Sequence, residues 1–301
     1  MSELGFDGRV AVVTGAGGGI GRAYARLLAA RGARVVVNDL GGGVDGRGAG
    51  GATAEAVVGE IRAAGGVAIG NADSVSTPEG GRAIVQSALD EFGRLDIVIN
   101  NAGILRDGTL HKMTPEAFES VIAVHLLGSF YVSQPAFVHM REAGYGRLVM
   151  TTSAAGLYGN FGQVNYSAAK LGLVGMAKSI AHEGAKYGVK ANVIAPVALS
   201  RMTEGLISEE MAQAFLPEAI APVVAYLAHE ECVLSGEVLS AYGGHVGRVF
   251  VGETKGITMA GLSVEDVAAN IAQVIDTTEF EVPTDANAAL LVGRRAMRVQ
   301  E

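Results

Sequence analysis

A glycine-rich segment between a β-branched run and a helical pattern constrains the fold of this chain most. Residues 14–21 read TGAGGGIG and follow the apolar run 9–13. Glycines at such a junction let the backbone turn tightly, approach a pyrophosphate and bring helix against strand. The free N–H groups of the helix N-terminus then bind the phosphates. We assign to this phosphate-binding loop Gly15, Gly17, Gly18, Gly19, Ile20 and Gly21.

Short apolar runs alternate with helical patterns along most of the chain. Strands are predicted at residues 9–13, 34–38, 66–69, 96–100, 147–151, 190–194 and 237–241, and helices at 19–31, 53–64, 78–92, 115–141 (as two helices) and 166–187. Nearly continuous apolar strands are typical of a sheet covered on both faces. The alternation predicts an α/β fold with a single doubly wound Rossmann-type parallel sheet, strand order 3-2-1-4-5-6-7.

Two stretches depart from this alternation. Residues 41–51 contain seven glycines and are typical of a flexible surface loop. The tail after the last strand contains a candidate hairpin at 248–259, then a helix opened by Ser263 with Asp266 three residues on. We predict a catalytic domain at residues 1–242 and a C-terminal extension at 243–301, packed on the same domain or on a dimer partner.

Composition excludes several classes of protein. The net charge is −8 and no dense Lys/Arg cluster occurs, which argues against a nucleic-acid or anionic-membrane partner. The histidines lack metal-ligand spacing, so no metal is expected. The single cysteine, Cys232, fits a reducing compartment. The acidic N-terminus does not resemble a signal peptide, the longest uncharged stretch, 148–169, is too polar for a membrane span, and the terminal RVQE is not a peroxisomal signal. A soluble, cytoplasmic protein is expected.

Polar residues follow the predicted strands, at the edge where open α/β sheets bind ligands. Asp39 lies 18 residues after the last loop glycine, Gly21, close to the roughly 20 expected for an acid that binds ribose hydroxyls. An acid there repels a 2′-phosphate, which favours NAD over NADP. Further residues expected to contact the cofactor are Asp73, Ser74, Asn101, Ala102 and Gly103.

Tyr166 and Lys170 are four residues apart on a strong helical pattern, which places both on one helix face. A free phenol has a pKa of about 10, and a nearby ammonium together with the charge of a nicotinamide favours its ionised form. The phenol would then exchange a proton with a substrate oxygen while hydride moves to or from NAD. Ser153, at the end of the fifth strand, would hold that oxygen. A Tyr-x-x-x-Lys pair alone is common on helix surfaces; the phosphate loop, NNAG and Ser153 together favour the catalytic interpretation.

TGAGGGIG, NNAG, Ser153 and YSAAK resemble the short-chain dehydrogenase/reductase family over residues 8–241. The resemblance implies that Ser153, Tyr166 and Lys170 are catalytic, that Tyr166 and Lys170 also contact the cofactor, and that Ser153, Tyr158 and Tyr166 contact the substrate. The position of the family's usual asparagine falls on His125. If the backbone carbonyl at this position anchors the proton-relay water beside Lys170, a histidine can replace the asparagine. If the side chain takes part, the proton relay here differs. Pro196, Met202 and Thr203 match the segment beside the nicotinamide, although Val197 stands where glycine is usual.

Longer strings, including NNAGILRDG, VHLLGSF and YGNFGQVNYSAAKLGL, resemble one branch of that family, the dehydrogenase units of peroxisomal multifunctional enzymes type 2. This resemblance implies NAD-dependent oxidation of (3R)-3-hydroxyacyl-CoA to 3-ketoacyl-CoA. The alternatives are a 17β-hydroxysteroid or other secondary-alcohol dehydrogenase, a 3-ketoacyl reductase, and, in another class, a non-catalytic nucleotide sensor.

Residues 204–216 mix Met, Leu, Ile and Phe with acids, which is typical of a mobile lid over an apolar substrate and also of an ordinary amphipathic helix. The family resemblance implies a homodimer or homotetramer. Three basic residues are weaker candidates for contact with CoA phosphates: Arg106, Lys112 and Arg201.

Overall fold

The structure is a computed structural model that describes residues 3–43, 45–46, 48, 52–197, 216–290 and 292. Its main element is an eight-stranded sheet with strand order 3-2-1-4-5-6-7-8. The neighbouring strands from β3 to β7 are all parallel. The predicted doubly wound sheet and its strand order are therefore confirmed, with one extra strand at the edge.

The strands are β1 Val10–Thr14, β2 Arg34–Asn38, β3 Val67–Asn71, β4 Ile97–Asn100, β5 Gly146–Thr151, β6 Val189–Pro196, β7 Val238–Tyr242, β8 His245–Val249, β9 Glu253–Thr254 and β10 Phe280–Glu281. The helices are α1 Gly19–Ala30, α2 Ala52–Ala63, α3 Pro78–Phe92, α4 Pro115–Ile122, α5 Gly128–Ala143, α6 Ala154–Tyr158, α7 Val164–Gly184, α8 Ala221–Ala228, α9 Val264–Ala269 and α10 Ile271–Val274. A short 3-10 turn also occurs at Leu110–Lys112.

The continuous apolar strands lie between two layers of helices. All residues of β1, β4 and β5 are buried. Helices α1, α2 and α8 contribute buried side chains to the core on one face, including Leu28, Ile61 and Leu227. Helices α3, α5 and α7 contact β1, β5 and β6. Burial on both faces explains why these strands lack an alternating polar pattern, and this packing brings the polar strand ends to one edge.

The chain divides into two compact units, Met1–Arg248 and Val249–Glu301. In the first, Gly243 and Gly244 both have positive φ between β7 and β8, as a type I′ turn requires, so β8 returns antiparallel beside β7. The domain limit expected at 242 thus falls before a strand of the main sheet.

The hairpin expected at 248–259 is wrong, because β9 pairs with β10, which lies much later in the chain. The helix start at Ser263 has the predicted capping box with Asp266.

Pro115–Ala143 is continuous except for a π-helical turn, Ala123–Leu127, that joins α4 to α5. Among the described residues, it is the one helix long and apolar enough to cross a membrane by length and composition. Core helices of folded domains meet the same criterion, and Val132, Ala136 and Met140 in α5 are fully buried. A π turn often marks a functional site, and this one carries His125.

Candidate functional site

A cavity of about 500 Å³ opens at the carboxyl ends of the strands, where ligands bind in this class of sheet. It collects residues from the ends of strands β1 to β6, and those that follow β2, β3, β4 and β5 include polar side chains. Its wall includes Gly15, Gly18, Gly19, Ile20, Gly21, Asp39, Asp73, Ser74, Asn101, Ala102, Gly103, His125, Ser153, Tyr166, Lys170 and Pro196.

The glycine loop is shaped by close approaches that exclude side chains. Gly15 has φ +63°, and a Cβ there would lie 2.7 Å from the Cα of Ala102. A Cβ on Gly21 would overlap the carbonyl oxygen of Gly15. Helix α1 begins after Gly18 without a side-chain cap. Its first N–H groups therefore remain available to an anion.

Asp39 lies directly against this loop. One carboxylate oxygen accepts a hydrogen bond from the Gly17 N–H at 2.8 Å, and the other accepts from the Gly41 N–H at 2.7 Å. A Cβ on Gly17 would lie 2.7 Å from the Asp39 Cγ. The carboxylate is thus fixed beside the phosphate loop, where ribose hydroxyls can donate to it.

The NNAG segment is tied to the glycine loop. Asn101 Nδ2 donates to the carbonyls of Thr14 and Gly15 at 3.0 and 3.1 Å. Thr14 Oγ1 accepts from the N–H groups of Asn101 and Ala102 at 3.0 and 3.1 Å. These bonds join the ends of β1 and β4 into one wall of the cavity.

Asp73, after β3, is positioned by the buried amide of Asn38 and the half-buried amide of Asn71. Asn38 Nδ2 donates to the carbonyl of Asp73 at 2.9 Å and to the side-chain oxygen of Asn71 at 2.8 Å. Asn71 Nδ2 in turn donates to the Asp73 carboxylate at 2.8 Å. The chain is therefore held where the adenosine half of a dinucleotide would lie.

Ser153 and Tyr166 meet from two neighbouring helices. Ser153 is the N-cap of α6, and its hydroxyl accepts from the Ala155 N–H at 3.2 Å. Tyr166 lies in the first turn of α7, and Ser153 is close enough to lower the pKa of its phenol. Both residues line the same cavity, so both hydroxyls can bind one substrate oxygen there.

Lys170 is fully buried one helical turn after Tyr166. Its Nζ donates to the carbonyl of Thr151 at 2.6 Å and lies 5.5 Å from the centroid of the Tyr166 ring. Thr152 Oγ1 donates to the Lys170 carbonyl at 2.6 Å, which fixes the helix turn. Burial lowers the pKa of Lys170 to about 7 because water no longer stabilises the ammonium.

The pKa of Tyr166 is raised, not lowered. Burial is the main cause, the nearby Asp107 carboxylate acts in the same direction, and the hydrogen bond to Ser153 opposes both. The predicted lowering, which combines the Lys170 ammonium with the charge of a bound nicotinamide, does not occur in the protein without ligand. The sequence pattern shows the spacing of the pair but not the loss of water around both groups.

His125 lies in the π-helical turn with its ring edge-on to Tyr166, the ring centroids 5.1 Å apart. Its Nε2 is 3.0 Å from the Ile104 nitrogen and 2.8 Å from the Ile104 oxygen. Its Nδ1 is buried without a hydrogen-bond partner among the described residues. Burial and the charge of Lys170 hold the pKa of His125 well below 6.5, so the ring is neutral.

Most of the sequence-predicted site residues line one cavity, with clear exceptions. Gly17 is outside the cavity wall but bonded to Asp39. Tyr158 lies on the surface at the end of α6, outside the wall. Met202, Thr203 and Arg201, and residues 204–215 of the expected lid, lie outside the described residues. Arg106 lines the cavity and donates to the carbonyl of Asp45 at 3.1 Å.

Sequence reasoning missed the residues that support the site. They are Thr14, Asn38, Asn71, Ile104, Thr151, Thr152 and Asn165. Most of these residues are next to a strand end or a motif in the sequence. Their position beside NNAG or Ser153 could therefore have identified them. Asn165 is fully buried, donates to the Arg106 carbonyl at 2.9 Å and accepts from the Tyr166 N–H.

The donor set fits a nicotinamide dinucleotide. The uncapped α1 N-terminus lies beside glycines that leave no room for Cβ atoms, and a carboxylate follows β2. At the other end of the cavity wall, Thr151 Oγ1 is buried without a hydrogen-bond partner among the described residues, beside Lys170. The site thus offers an anion-binding end, a ribose-binding carboxylate and a proton-exchanging tyrosine.

Comparisons with known proteins agree with this geometry. Residues 9–211 match the family model described as short chain dehydrogenase. The chain is similar to the peroxisomal multifunctional enzyme type 2 of Mus musculus, with 51% identity over 248 residues, 82% of this chain and 33% of that protein. It is 39% identical over 260 residues to a hydroxyacyl-CoA dehydrogenase of Mycobacterium tuberculosis, covering 80% of this chain and 79% of the other.

A solved structure has the same fold. The full-length peroxisomal multifunctional enzyme type 2 of Drosophila melanogaster matches with a TM-score of 0.83 and 38% identity, over 98% of this chain and 51% of that one. The chain thus spans about a third of the mouse protein and about half of the fly protein. The predicted resemblance to this branch is confirmed. The chain belongs to the short chain dehydrogenase family and is an oxidoreductase that acts on CH–OH groups.

Proposed function

We propose that this protein oxidises the 3-hydroxyl of (3R)-3-hydroxyacyl-CoA thioesters to the ketone, with NAD as hydride acceptor. The observation that carries the proposal is that Ser153, Tyr166 and Lys170 line one cavity together with Asp39, with the Lys170 Nζ 5.5 Å from the centroid of the Tyr166 ring. The substrate class rests on the relatives, whose names include a hydroxyacyl-CoA dehydrogenase and multifunctional enzymes of the peroxisome.

The reaction removes a hydride from C3 and a proton from its hydroxyl, leaving a carbon–oxygen double bond. A bound oxidised nicotinamide supplies the hydride acceptor and a positive charge near the phenol. Ser153 donates to the substrate oxygen and fixes its position. Tyr166 accepts the hydroxyl proton, which requires its phenolate. Added positive charge beside the ring counteracts the burial that raises the pKa of Tyr166.

Lys170 supports this proton transfer from its buried position. Its bond to the Thr151 carbonyl uses one of three ammonium hydrogens, and the others remain for ribose hydroxyls and for the proton path. Because its pKa is about 7, Lys170 can release and regain a proton near neutral pH.

NAD is favoured over NADP by the position of Asp39. Both of its oxygens already accept backbone N–H bonds from the loop, so the charge is fixed at the end of β2. A 2′-phosphate would meet this carboxylate at close range and be repelled. We therefore expect kcat/KM for NAD to exceed that for NADP.

The direct test measures NADH formation by the purified protein with NAD and 3-hydroxyacyl-CoA thioesters of both configurations. A 17β-hydroxysteroid and a simple secondary alcohol complete the panel. The proposal expects turnover of the (3R) thioesters above all others. Turnover of the steroid without any thioester activity would contradict the substrate class. Tyr166→Phe should lower kcat by about 10²–10⁴-fold, while the affinity for NAD measured by titration calorimetry stays similar.

A further inference from the structure

Three apolar side chains are strongly exposed close to the catalytic helices. Among the large hydrophobic residues described between residues 3 and 248, four are at least three-quarters exposed. They are Leu110 at 76%, Tyr158 at 75%, Phe161 at 88% and Val233 at 78%. The first three lie on two segments: Leu110 begins the 3-10 turn Leu110–Lys112, Tyr158 ends α6, and Phe161 lies in the loop between α6 and α7. We call these three residues the apolar rim.

We propose that the apolar rim binds the distal part of the substrate's aliphatic acyl chain and makes the protein selective for long chains. This inference rests on the proposed function and extends it from the reacting carbon to the far end of the substrate. It commits to a hydrocarbon chain as the occupant, because the rim is continuous with the two helices that carry the reacting hydroxyls.

Hydrogen bonds between the two loops bring the rim together. The Gly108 N–H donates to the Gly162 carbonyl at 2.8 Å, and Gly108 forms an isolated parallel bridge with Gln163. Gln163 Nε2 also donates to the Asp107 carboxylate at 2.7 Å. Since Phe161 precedes Gly162 and Leu110 lies two residues after Gly108, the linked loops present both side chains on one stretch of surface.

The rim is also close in sequence to Ser153 and Tyr166, the residues that carry the reacting hydroxyls. Helix α6 begins after Ser153 and ends at Tyr158, so the two ends of this helix are roughly 8 Å apart. Gln163 is the N-cap of α7, which carries Tyr166 in its first turn. A substrate held between the hydroxyls of Ser153 and Tyr166 therefore has the rim within reach of a long chain but beyond a short one.

The three side chains of the rim carry no charge, and their surface is exposed to water. The acyl end, which has no charge, gains by covering exposed apolar surface that otherwise contacts water.

The test compares 3-hydroxyhexadecanoyl-CoA with 3-hydroxybutyryl-CoA for the wild type and for the double variant Leu110→Ser/Phe161→Ser. We expect the ratio of kcat/KM for the long over the short thioester to fall about tenfold, equivalent to about 1.4 kcal/mol of lost chain binding. The matched control is Val233→Ser. Val233 is equally exposed but lies after α8, at the opposite edge of the sheet. The carbonyl of the preceding residue, Cys232, accepts a hydrogen bond from Lys190 at the start of β6. The Val233→Ser variant should leave the ratio unchanged.

Two results would overturn the proposal while leaving the proposed function intact. One is a double variant in which the ratio of kcat/KM is unchanged, including the case in which kcat/KM falls equally for both thioesters. The other is a smaller molar mass of the double variant by light scattering, which would assign the rim to an interface between copies of this chain. A wild type that oxidises neither thioester would instead overturn the proposed function, and the role of the rim with it.

Discussion

The imidazole of His125 occupies the space that a side chain at Gly103 would need. A Cβ built on Gly103 would overlap the His125 Cε1 and lie 3.0 Å from Nδ1 and 3.1 Å from Nε2. The ring is fully buried and is held at Ile104, so it has no room to withdraw. The glycine of NNAG and the histidine of the π turn are therefore structurally coupled.

Gly103→Ala should lower the free energy of unfolding by about 1–3 kcal/mol, because overpacking forces the ring or the loop to shift. It should also weaken NAD binding, since Gly103 lines the cavity. Combining it with His125→Ala removes the overlap, so the double variant should be more stable than the sum of the two single effects. Chemical denaturation of all four proteins measures this coupling. Strict additivity would show that the ring and the glycine do not constrain each other.

His125 also fixes the Ile104 peptide through Nε2, either by donating to its carbonyl or by accepting from its N–H. His125→Leu leaves that buried peptide without this partner, which costs about 1–3 kcal/mol. His125→Asn restores an amide at this position. We expect kcat to fall severalfold more for the leucine than for the asparagine variant, with a smaller change in KM for NAD.

The pH profile separates this positioning role from proton transfer by His125 itself. Its pKa is held well below 6.5, so the ring stays neutral from about pH 6 to 8. The kcat profiles of the wild type and of His125→Asn should therefore have the same shape in this range. Loss of an acidic limb in the variant would show that His125 titrates during turnover.

The strands and most helices could be predicted because both depend on local pattern. The continuous apolar runs of β2 and β5 predicted the strands within a residue, and the helix predicted from residue 115 begins at Pro115 as α4. The order of polar strand ends then followed from the topology of parallel sheets.

The remaining features depend on contacts between distant residues. The helical pattern across residues 115–141 gives no sign of the π turn, which places His125 against Ile104, 21 residues earlier. The partner of β9 lies at Phe280–Glu281, so a hairpin chosen from adjacent residues was wrong. The raised pKa of Tyr166 reflects burial, which spacing alone does not report.

The buried Lys170 makes the stability of the protein without ligand depend on pH. Its pKa is 10.5 in the unfolded reference and about 7 in the fold, so between these values the unfolded chain holds a proton that the folded chain lacks. Stability therefore rises with pH from about 7 to 10.5 and is lowest below 7. The lowered pKa changes the free energy of unfolding by at most about 5 kcal/mol between these two pH values.

Lys170→Met should raise the free energy of unfolding at neutral pH and flatten its rise towards alkaline pH. Denaturation at several pH values, without cofactor, measures both effects. Lys178→Met is the matched control on the same helix, because Lys178 is half-buried and bonded to the Gly236 carbonyl. A wild-type slope that persists in the Lys170 variant would locate the titrating group elsewhere.

Replacing the carboxylate at the end of β2 should change cofactor preference. In Asp39→Ala/Leu40→Arg, the repulsion of a 2′-phosphate is removed and a guanidinium is added to bind it. The Gly17 and Gly41 N–H groups also lose their acceptor, so KM for NAD should rise. We expect the NAD-to-NADP ratio of kcat/KM to fall at least tenfold. Leu40→Arg alone is the control: if it shifts the ratio as far as the double variant does, Asp39 is not the discriminating group.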